Sequence, residues 1–219
     1  MIIDERTGSL EEHVFDILEE EIISGTLSKG QIVTENELSG RLGVSRTPIR
    51  GALRRLCEEG LVDIAPNRRV TIVGISTEDL IDAYKIRMRL EGLSSALATE
   101  RMTDEEKKKL SDFVELSEYY ISKKDTENLK MLDTQFHSMI YRASGNRMLC
   151  RILSELHRNI TRYRKMSLTV PGRLESSVKE HREILEAILR GDSAEADRLT
   201  SCHIEHALQN LTNTLNKEM

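Results

Sequence analysis

Tryptophan is absent from this chain of 219 residues, aromatic residues make up only 4% of it, and proline occurs only three times. A β-sandwich would need more aromatic and β-branched side chains and more turns, so the composition favours helices. No apolar run approaches the ~20 residues of a membrane-spanning helix, and residues 1–12 lack the apolar block of a signal peptide. We therefore expect a mainly α-helical protein of the cytoplasm with no membrane partner.

Cysteine is equally sparse. The three cysteines, Cys57, Cys150 and Cys202, are odd in number, lie far apart and form no CxxC pair. This usage indicates reduced thiols in the core or at the surface rather than a disulfide framework.

Positive charge is scarce overall but concentrated in one place. The net charge is −5, which by itself argues against a nucleic-acid partner. Between residues 40 and 70, however, seven arginines stand against three acidic residues, a local balance of 7 − 3 = +4 without a single lysine. Such an island on an acidic chain fits a small DNA-reading surface, although charge alone fits a solvated face equally well.

Residues 1–74 read as one domain, a winged helix-turn-helix with three helices and a two-stranded wing. Apolar spacing predicts the helices, Thr34 and Glu37 fit a capping box, and Gly43 ends the second helix. Two short β-branched runs then flank a turn that carries two arginines. The predicted helices cover about residues 9–24, 34–42 and 45–59, and the predicted strands cover 61–65 and 70–73.

The third helix carries the chemistry expected of a recognition helix. Arg46 and Arg50 are four residues apart and share a face, from which arginine can contact guanine O6 and N7 bidentately. Ser45 and Thr47 place short hydroxyls at a helix N-terminus, where phosphate binds well. The sequence therefore predicts a helix that enters the DNA major groove near Arg46.

Residues 75–219 read as a second, all-α domain, a bundle of six to seven helices. The pattern predicts helices at about 77–100, 104–122, 126–143, 146–167, 173–190 and 193–216. Asp133 and His137 share a face, and His181 and His203 stand at similar depths on either side of the turn at Gly191. One layer of the bundle can thus collect a carboxylate and three imidazoles around a metal, or the histidines can be separate hydrogen-bonded residues.

The first domain carries several short motifs that together point to one family. They are Ile23-Ser24-Gly25, Thr34-Glu35, Glu37-Leu38, Glu59-Gly60-Leu61-Val62, Pro66-Asn67-Arg68 and, most specifically, the run Leu42 to Arg50. In these motifs the domain resembles the GntR family of bacterial transcription regulators. Gly51 and Arg69 depart from the family pattern, where Glu and Gly are usual, and Asn36 stands where some relatives carry a DNA-reading Arg. The spacing and the resemblance together predict DNA contacts from Thr34, Glu35, Asn36, Ser45, Arg46, Thr47, Arg50, Asn67, Arg68 and Arg69.

The second domain carries the run Arg87-Met88-Arg89-Leu90-Glu91 in its first predicted helix and the set Asp133, His137, His181 and His203 further on. In both it resembles the FCD-type ligand-binding domain of the GntR subfamily named after the fatty-acid-responsive regulator. The run is similar to the first-helix motif of that domain, and the four residues match its metal set. The resemblance implies a divalent ion (zinc, nickel or manganese) and a small carboxylate effector, with Arg87 and Arg162 as candidate effector contacts and His157 and His206 as alternative pocket residues.

These features predict a homodimeric regulator, in the repressing mode common in the family, that binds a palindromic operator and responds to an organic acid. The alternative is a metal-dependent enzyme acting on a small carboxylate. We expect no enzyme, because the chain has no HExxH motif and Glu180, the acidic residue next to His181, does not share the face of that histidine. A purely structural helical oligomer would leave the arginine face and the wing unexplained.

Overall fold

The computed structural model describes residues 9–66, 68–74, 76–164 and 173–218. The chain divides into two compact units, residues 1–76 and 77–219. The first unit contains α1 (Leu10–Ile23), β1 (Ile32–Thr34), α2 (Glu35–Leu42), α3 (Arg46–Glu58), β2 (Val62–Ile64) and β3 (Arg69–Ile72). The second contains α4 (Thr77–Arg101), α5 (Asp104–Lys123), α6 (Thr126–Ala143), α7 (Arg147–Arg164), α8 (Arg173–Arg190) and α9 (Ser193–Glu218). The predicted winged helix-turn-helix followed by a helical bundle is confirmed.

The helix pair α2–α3 is set by local sequence signals. The Thr34 side chain accepts a hydrogen bond from the Glu37 backbone N–H, and the Glu37 carboxylate accepts one from the Thr34 backbone N–H, so the predicted capping box is present. Gly43 ends α2 in the left-handed conformation (φ 68°), which glycine adopts without steric cost. The chain thus turns sharply into α3.

The wing has one more strand than the sequence predicted. All strands are antiparallel, in the order β1-β3-β2, so the three residues of β1 pair with β3 from the far side. Thr34 ends β1 opposite Arg69 and is also the N-cap of α2. The extra strand was missed because a three-residue strand forms only through this distant pairing, which no local periodicity shows.

The core of the first unit lies where α3 crosses α1. Phe15 and Leu18 of α1 and Ile49, Leu53 and Leu56 of α3 are at most 2% exposed. The Arg55 guanidinium lies 4.0 Å above the centre of the Phe15 ring, a cation–π contact at the rim of this core. Because this face is buried, the N-terminal polar residues of α3 face outward.

The second unit packs its core along α4. One cluster joins Ala98 of α4 to α5, α6, α8 and the start of α9, a second joins Tyr84 to Ile160 and Ile204, and a third joins α4 to Leu149 and Leu153 of α7. Gly92 permits the close approach of α4 and α9, since a Cβ there would lie 2.3 Å from Asp197 Oδ1. In the described part of the chain, no helix combines the length and apolar character needed to cross a membrane.

Candidate functional site

The N-terminal end of α3 presents polar side chains to solvent. Ser45 is the N-cap of α3 but makes no side-chain capping bond. Ser45, Arg46, Thr47 and Arg50 are exposed, whereas Pro48 and Ile49 are buried. The arrangement leaves hydroxyl and guanidinium donors available on one surface, as direct readout of DNA requires.

Glu35, the first residue of α2, binds both arginines of that surface. Arg50 Nε donates to Glu35 Oε1 at 2.9 Å and Arg50 Nη2 donates to Glu35 Oε2 at 2.8 Å. Arg46 Nη2 donates to Glu35 Oε2 at 3.3 Å. The hydrogen bonds from Arg50 hold the pKa of Glu35 at about 2, well below its usual value, so the carboxylate is ionised at neutral pH.

The other predicted DNA contacts differ in their local settings. Asn36 is exposed, while the Thr34 hydroxyl is half-buried in the cap of α2. Arg68 occupies the left-handed region (φ 60°) at the wing tip, where its N–H donates to the Ala65 carbonyl. Arg69 begins β3 and is exposed. Asn67 lies outside the described residues.

Gly51, the departure from the family pattern in α3, is buried against α1. A Cβ at this position would lie 2.1 Å from Glu11 Oε2. The glycine therefore gives the Glu11 side chain room against the helix.

Three histidines of the second unit converge in the bundle interior. His137 of α6, His181 of α8 and His203 of α9 offer one nitrogen each, all within 4.8 Å of one another, and all three side chains are buried. Asp133 Oδ1, one turn before His137, lies 3.8 Å from His181 Nε2. The structure thus brings together all four residues of the predicted metal set.

Neighbouring carboxylates occupy the other nitrogen of two of these rings. His203 Nδ1 shares a 2.6 Å hydrogen bond with Glu180 Oε2, and His137 Nδ1 lies 2.9 Å from Glu91 Oε2. Both contacts leave Nε2 free to bind a metal, the arrangement in which an outer carboxylate fixes the ring and raises its basicity. His181 Nε2 is buried and has no hydrogen-bond partner, which is costly unless a ligand satisfies it.

Burial keeps the rings of His181 and His203 neutral. It lowers the pKa of His203 to about 4 despite the opposing effect of Glu180, and it lowers the pKa of His181 well below its ordinary value. Neutral imidazole is the form that binds a metal. The donor set of three imidazoles and one carboxylate therefore fits zinc, nickel or manganese.

A buried polar network lies beside the histidines. Arg87 Nε donates to Glu91 Oε1 at 2.6 Å, with both side chains at most 2% exposed. Tyr141 and His157 extend the network, with 3.4 Å between the Tyr141 hydroxyl and His157 Nδ1. Arg87 Nη1 and His157 Nε2 are buried without a hydrogen-bond partner. Arg162 lies on α7, and its side chain is outside the described residues.

Sequence reasoning missed Glu91 and Glu180 as residues that orient the histidines. Arg87 and Glu91 lie on the same face of α4 as the buried Tyr84 and Ala98. A charged pair on a buried helix face needs partners, and this feature of the sequence could have identified Glu91. Glu180 precedes His181 and therefore does not share its face, but it binds His203, His206 and Arg173 instead. No sequence pattern indicated that grouping.

Two family models match the chain. The model described as the FCD domain matches residues 82–206, and the model described as bacterial regulatory proteins, gntR family, matches residues 10–72. The helix-turn-helix transcriptional regulator YdhC of Bacillus subtilis is 30% identical, with 92% of this chain and 90% of YdhC covered.

Other relatives are similar over nearly their whole length. The repressor RspR of Escherichia coli is 24% identical, covering 91% of this chain and 87% of RspR. A probable D-xylose operon repressor of Paenarthrobacter nicotinovorans is 29% identical, covering 87% and 84%. The solved structure of E. coli McbR/YncC has a TM-score of 0.69 at 23% identity, covering 94% of this chain and 99% of McbR, and so shows the shared fold.

Proposed function

Because this chain belongs to the GntR family of bacterial DNA-binding transcription regulators and carries an FCD domain, we propose that it is a homodimeric repressor whose operator binding responds to a small organic acid held at a metal site. Repression is supported by the names of RspR and the D-xylose operon regulator. The same regulator names favour control of transcription in the cytoplasm over catalysis.

The exposed arginine pair at the start of α3 carries the DNA-binding half of the proposal. Arg46 and Arg50 extend from a helix whose opposite face is buried, next to a wing with two further arginines. Each protomer would read one half-site of a palindromic operator through this surface, which includes Thr34, Asn36, Ser45, Thr47, Arg68 and Arg69. Asn67, outside the described residues, stays a further predicted contact.

The test is an operator selection from random duplex DNA, followed by affinity measurements on variants. We expect Arg46→Ala and Arg50→Ala each to weaken operator binding by about 1–3 kcal/mol. Arg41→Ala is the matched control, because Arg41 pairs with Glu21 of α1 and lies outside this surface. Unchanged operator affinity in both Arg46 and Arg50 variants would contradict the assignment of the recognition helix.

The converging histidines support the metal site. Asp133, His137, His181 and His203 would hold one divalent ion, and Glu91 and Glu180 would orient two of the rings. When bound, the ion supplies positive charge and open coordination positions for an oxygen ligand.

Charge and unpaired donors together support a singly charged acid as the effector. A divalent ion and the Asp133 carboxylate sum to +1, and Arg87 with Glu91 sums to zero, so one carboxylate neutralises the interior. Arg87 Nη1 and His157 Nε2 are buried nitrogens still able to bind a second oxygen. Arg162 is a further candidate contact.

The effector proposal is tested by calorimetry on metal-loaded protein with matched acids. Monocarboxylates that carry a hydroxyl or keto group are expected to bind more tightly than dicarboxylates of the same length. Arg87→Met removes one positive charge from the interior and should therefore lower the affinity for dicarboxylates more than the affinity for monocarboxylates. Equal affinity for both classes in the wild type would contradict the charge argument.

Two adjacent apolar stripes support the homodimer. On α4, Ile86 and Leu93 are 50% and 43% exposed, in phase with the half-buried Leu90 and Leu97. Met148 and Ile152 of α7 are exposed one turn apart, and α7 packs on α4 through Leu149 and Leu153. Exposed apolar side chains on two packed helices are typical of an interaction surface, and a second copy of the chain would cover them in an isologous dimer.

A further inference from the structure

We propose that Glu35 is a positioning residue that determines how well this regulator distinguishes its operator from other DNA. The proposal rests on the DNA-binding surface proposed above. Glu35 is an acidic residue within a surface proposed to bind DNA, where its negative charge would repel phosphate.

The geometry of the pair leaves the reading edge of Arg50 free. Glu35 takes the Nε–H and one Nη2–H of Arg50, which form the side edge of the guanidinium. Arginine has five N–H donors, so Arg50 keeps both Nη1 hydrogens and the second Nη2 hydrogen. These form the end edge, which offers two parallel donors for guanine O6 and N7. Glu35 and a base can therefore be bound at the same time.

The burial pattern places Glu35 behind the arginines. Its side chain is 12% exposed, while the side chains of Arg46 and Arg50 are 49% and 56% exposed. The carboxylate is thus a support for the two guanidinium groups. A planar guanidinium fixed by two hydrogen bonds has already lost the rotamer freedom that binding would otherwise remove, which favours a contact of defined geometry.

The charge of Glu35 has the opposite effect on phosphate binding. Non-specific affinity for DNA comes from neutralised phosphates and released counterions. Glu35 reduces the charge of the Glu35–Arg46–Arg50 cluster from +2 to +1, and Arg50 can turn toward phosphate only by breaking two hydrogen bonds. Glu35 therefore weakens binding to arbitrary sequences and strengthens reading of the operator.

The experiment compares full-length wild type with Glu35→Gln on a selected operator duplex and on a scrambled duplex of equal length, over a salt series. We expect Glu35→Gln to bind scrambled DNA more tightly, with a salt slope steeper by about 1, and the operator-to-scrambled affinity ratio to fall about tenfold. A misfolded variant cannot bind scrambled DNA more tightly, so this readout separates positioning from loss of structure.

The matched control is Glu21→Gln, which also removes a paired carboxylate of this unit, the partner of Arg41. An unchanged affinity ratio in Glu35→Gln, or an equal fall in Glu21→Gln, would overturn the proposal while leaving DNA binding intact. A wild type that selects no preferred sequence would overturn the proposed function as well.

Discussion

Arg87 and Glu91 form an ion pair inside the helical bundle, one turn apart on α4, with 2.6 Å between Arg87 Nε and Glu91 Oε1. Glu91 also lies beside His137. The nearby Arg87 lowers the pKa of Glu91 against the opposing effect of burial, so the carboxylate stays charged. The pair thus links the framework of the bundle to the predicted metal ligands.

Removal of one member of this pair should destabilise the second unit strongly. Arg87→Met leaves Glu91 buried and without its cation, and such changes cost about 3–5 kcal/mol. Urea unfolding of metal-free protein measures the loss. Arg182→Met, which breaks the exposed pair with Glu118, should cost less than about 1 kcal/mol. Similar losses in both variants would contradict the buried role of Arg87.

Glu180 should tune metal affinity through His203. Glu180→Gln keeps the size of the side chain but removes the charge that orients the imidazole, so affinity should fall about 10–100-fold in a chelator competition. Glu183→Gln, on an exposed position of the same helix, should leave affinity unchanged. Elemental analysis that finds no metal in wild type after loading would reject the site itself.

Acid should destabilise the metal-free protein through His157. Burial lowers the pKa of His157 to about 3 from 6.5, so between these values the unfolded chain binds the proton and the folded chain does not. The stabilisation is complete above pH 6.5 and is lost progressively as the pH falls toward 3. Near pH 5, a plot of the free energy of unfolding against pH should be less steep in His157→Gln than in wild type, by about 1.4 kcal/mol per pH unit. A slope that His157→Gln does not change would show that His157 is accessible to protons in the folded state.

The two buried helical glycines should respond differently to a methyl group. At Gly51 the added Cβ meets the end of the flexible Glu11 side chain, which can move, so Gly51→Ala should gain up to about 1 kcal/mol from helix propensity. At Gly92 it meets the short Asp197 and Ser201 side chains, and Ser201 is bonded to the Met88 carbonyl. Gly92→Ala should therefore lose about 1–3 kcal/mol. Thermal melts of both variants test the contrast, which equal shifts would contradict.

Charge on the apolar face of α4 should dissociate the dimer. Leu93→Lys places an ammonium group at the centre of the proposed interface, and sedimentation should show a monomer at concentrations where wild type is dimeric. Tyr119→Lys changes an exposed residue of α5, outside the proposed interface, and should leave the mass unchanged. A dimeric Leu93→Lys protein would place the interface elsewhere.

Local signals predicted more of this molecule than long-range ones did. Thr34 with Glu37 and Thr103 with Glu106 announce helix starts within four residues, and both capping boxes are present. The third strand of the wing and the carboxylates behind His137 and His203 depend on chain segments that meet only in the fold. The periodicity of a sequence does not show which distant segments come into contact. The histidines could be grouped from sequence because they stand at similar depths along their helices.

The double role of Thr34 has a consequence for protein engineering. Thr34 is the last residue of β1 and the N-cap of α2, so the sheet of the wing and the helix pair α2–α3 are joined directly at this residue. A chimera that transplants α3 alone into another regulator would leave Glu35 behind in this chain, so the two transplanted arginines would lack their carboxylate partner. To transfer operator preference to another regulator, the exchanged segment has to run from the start of β1 to the end of β3, residues 32–72.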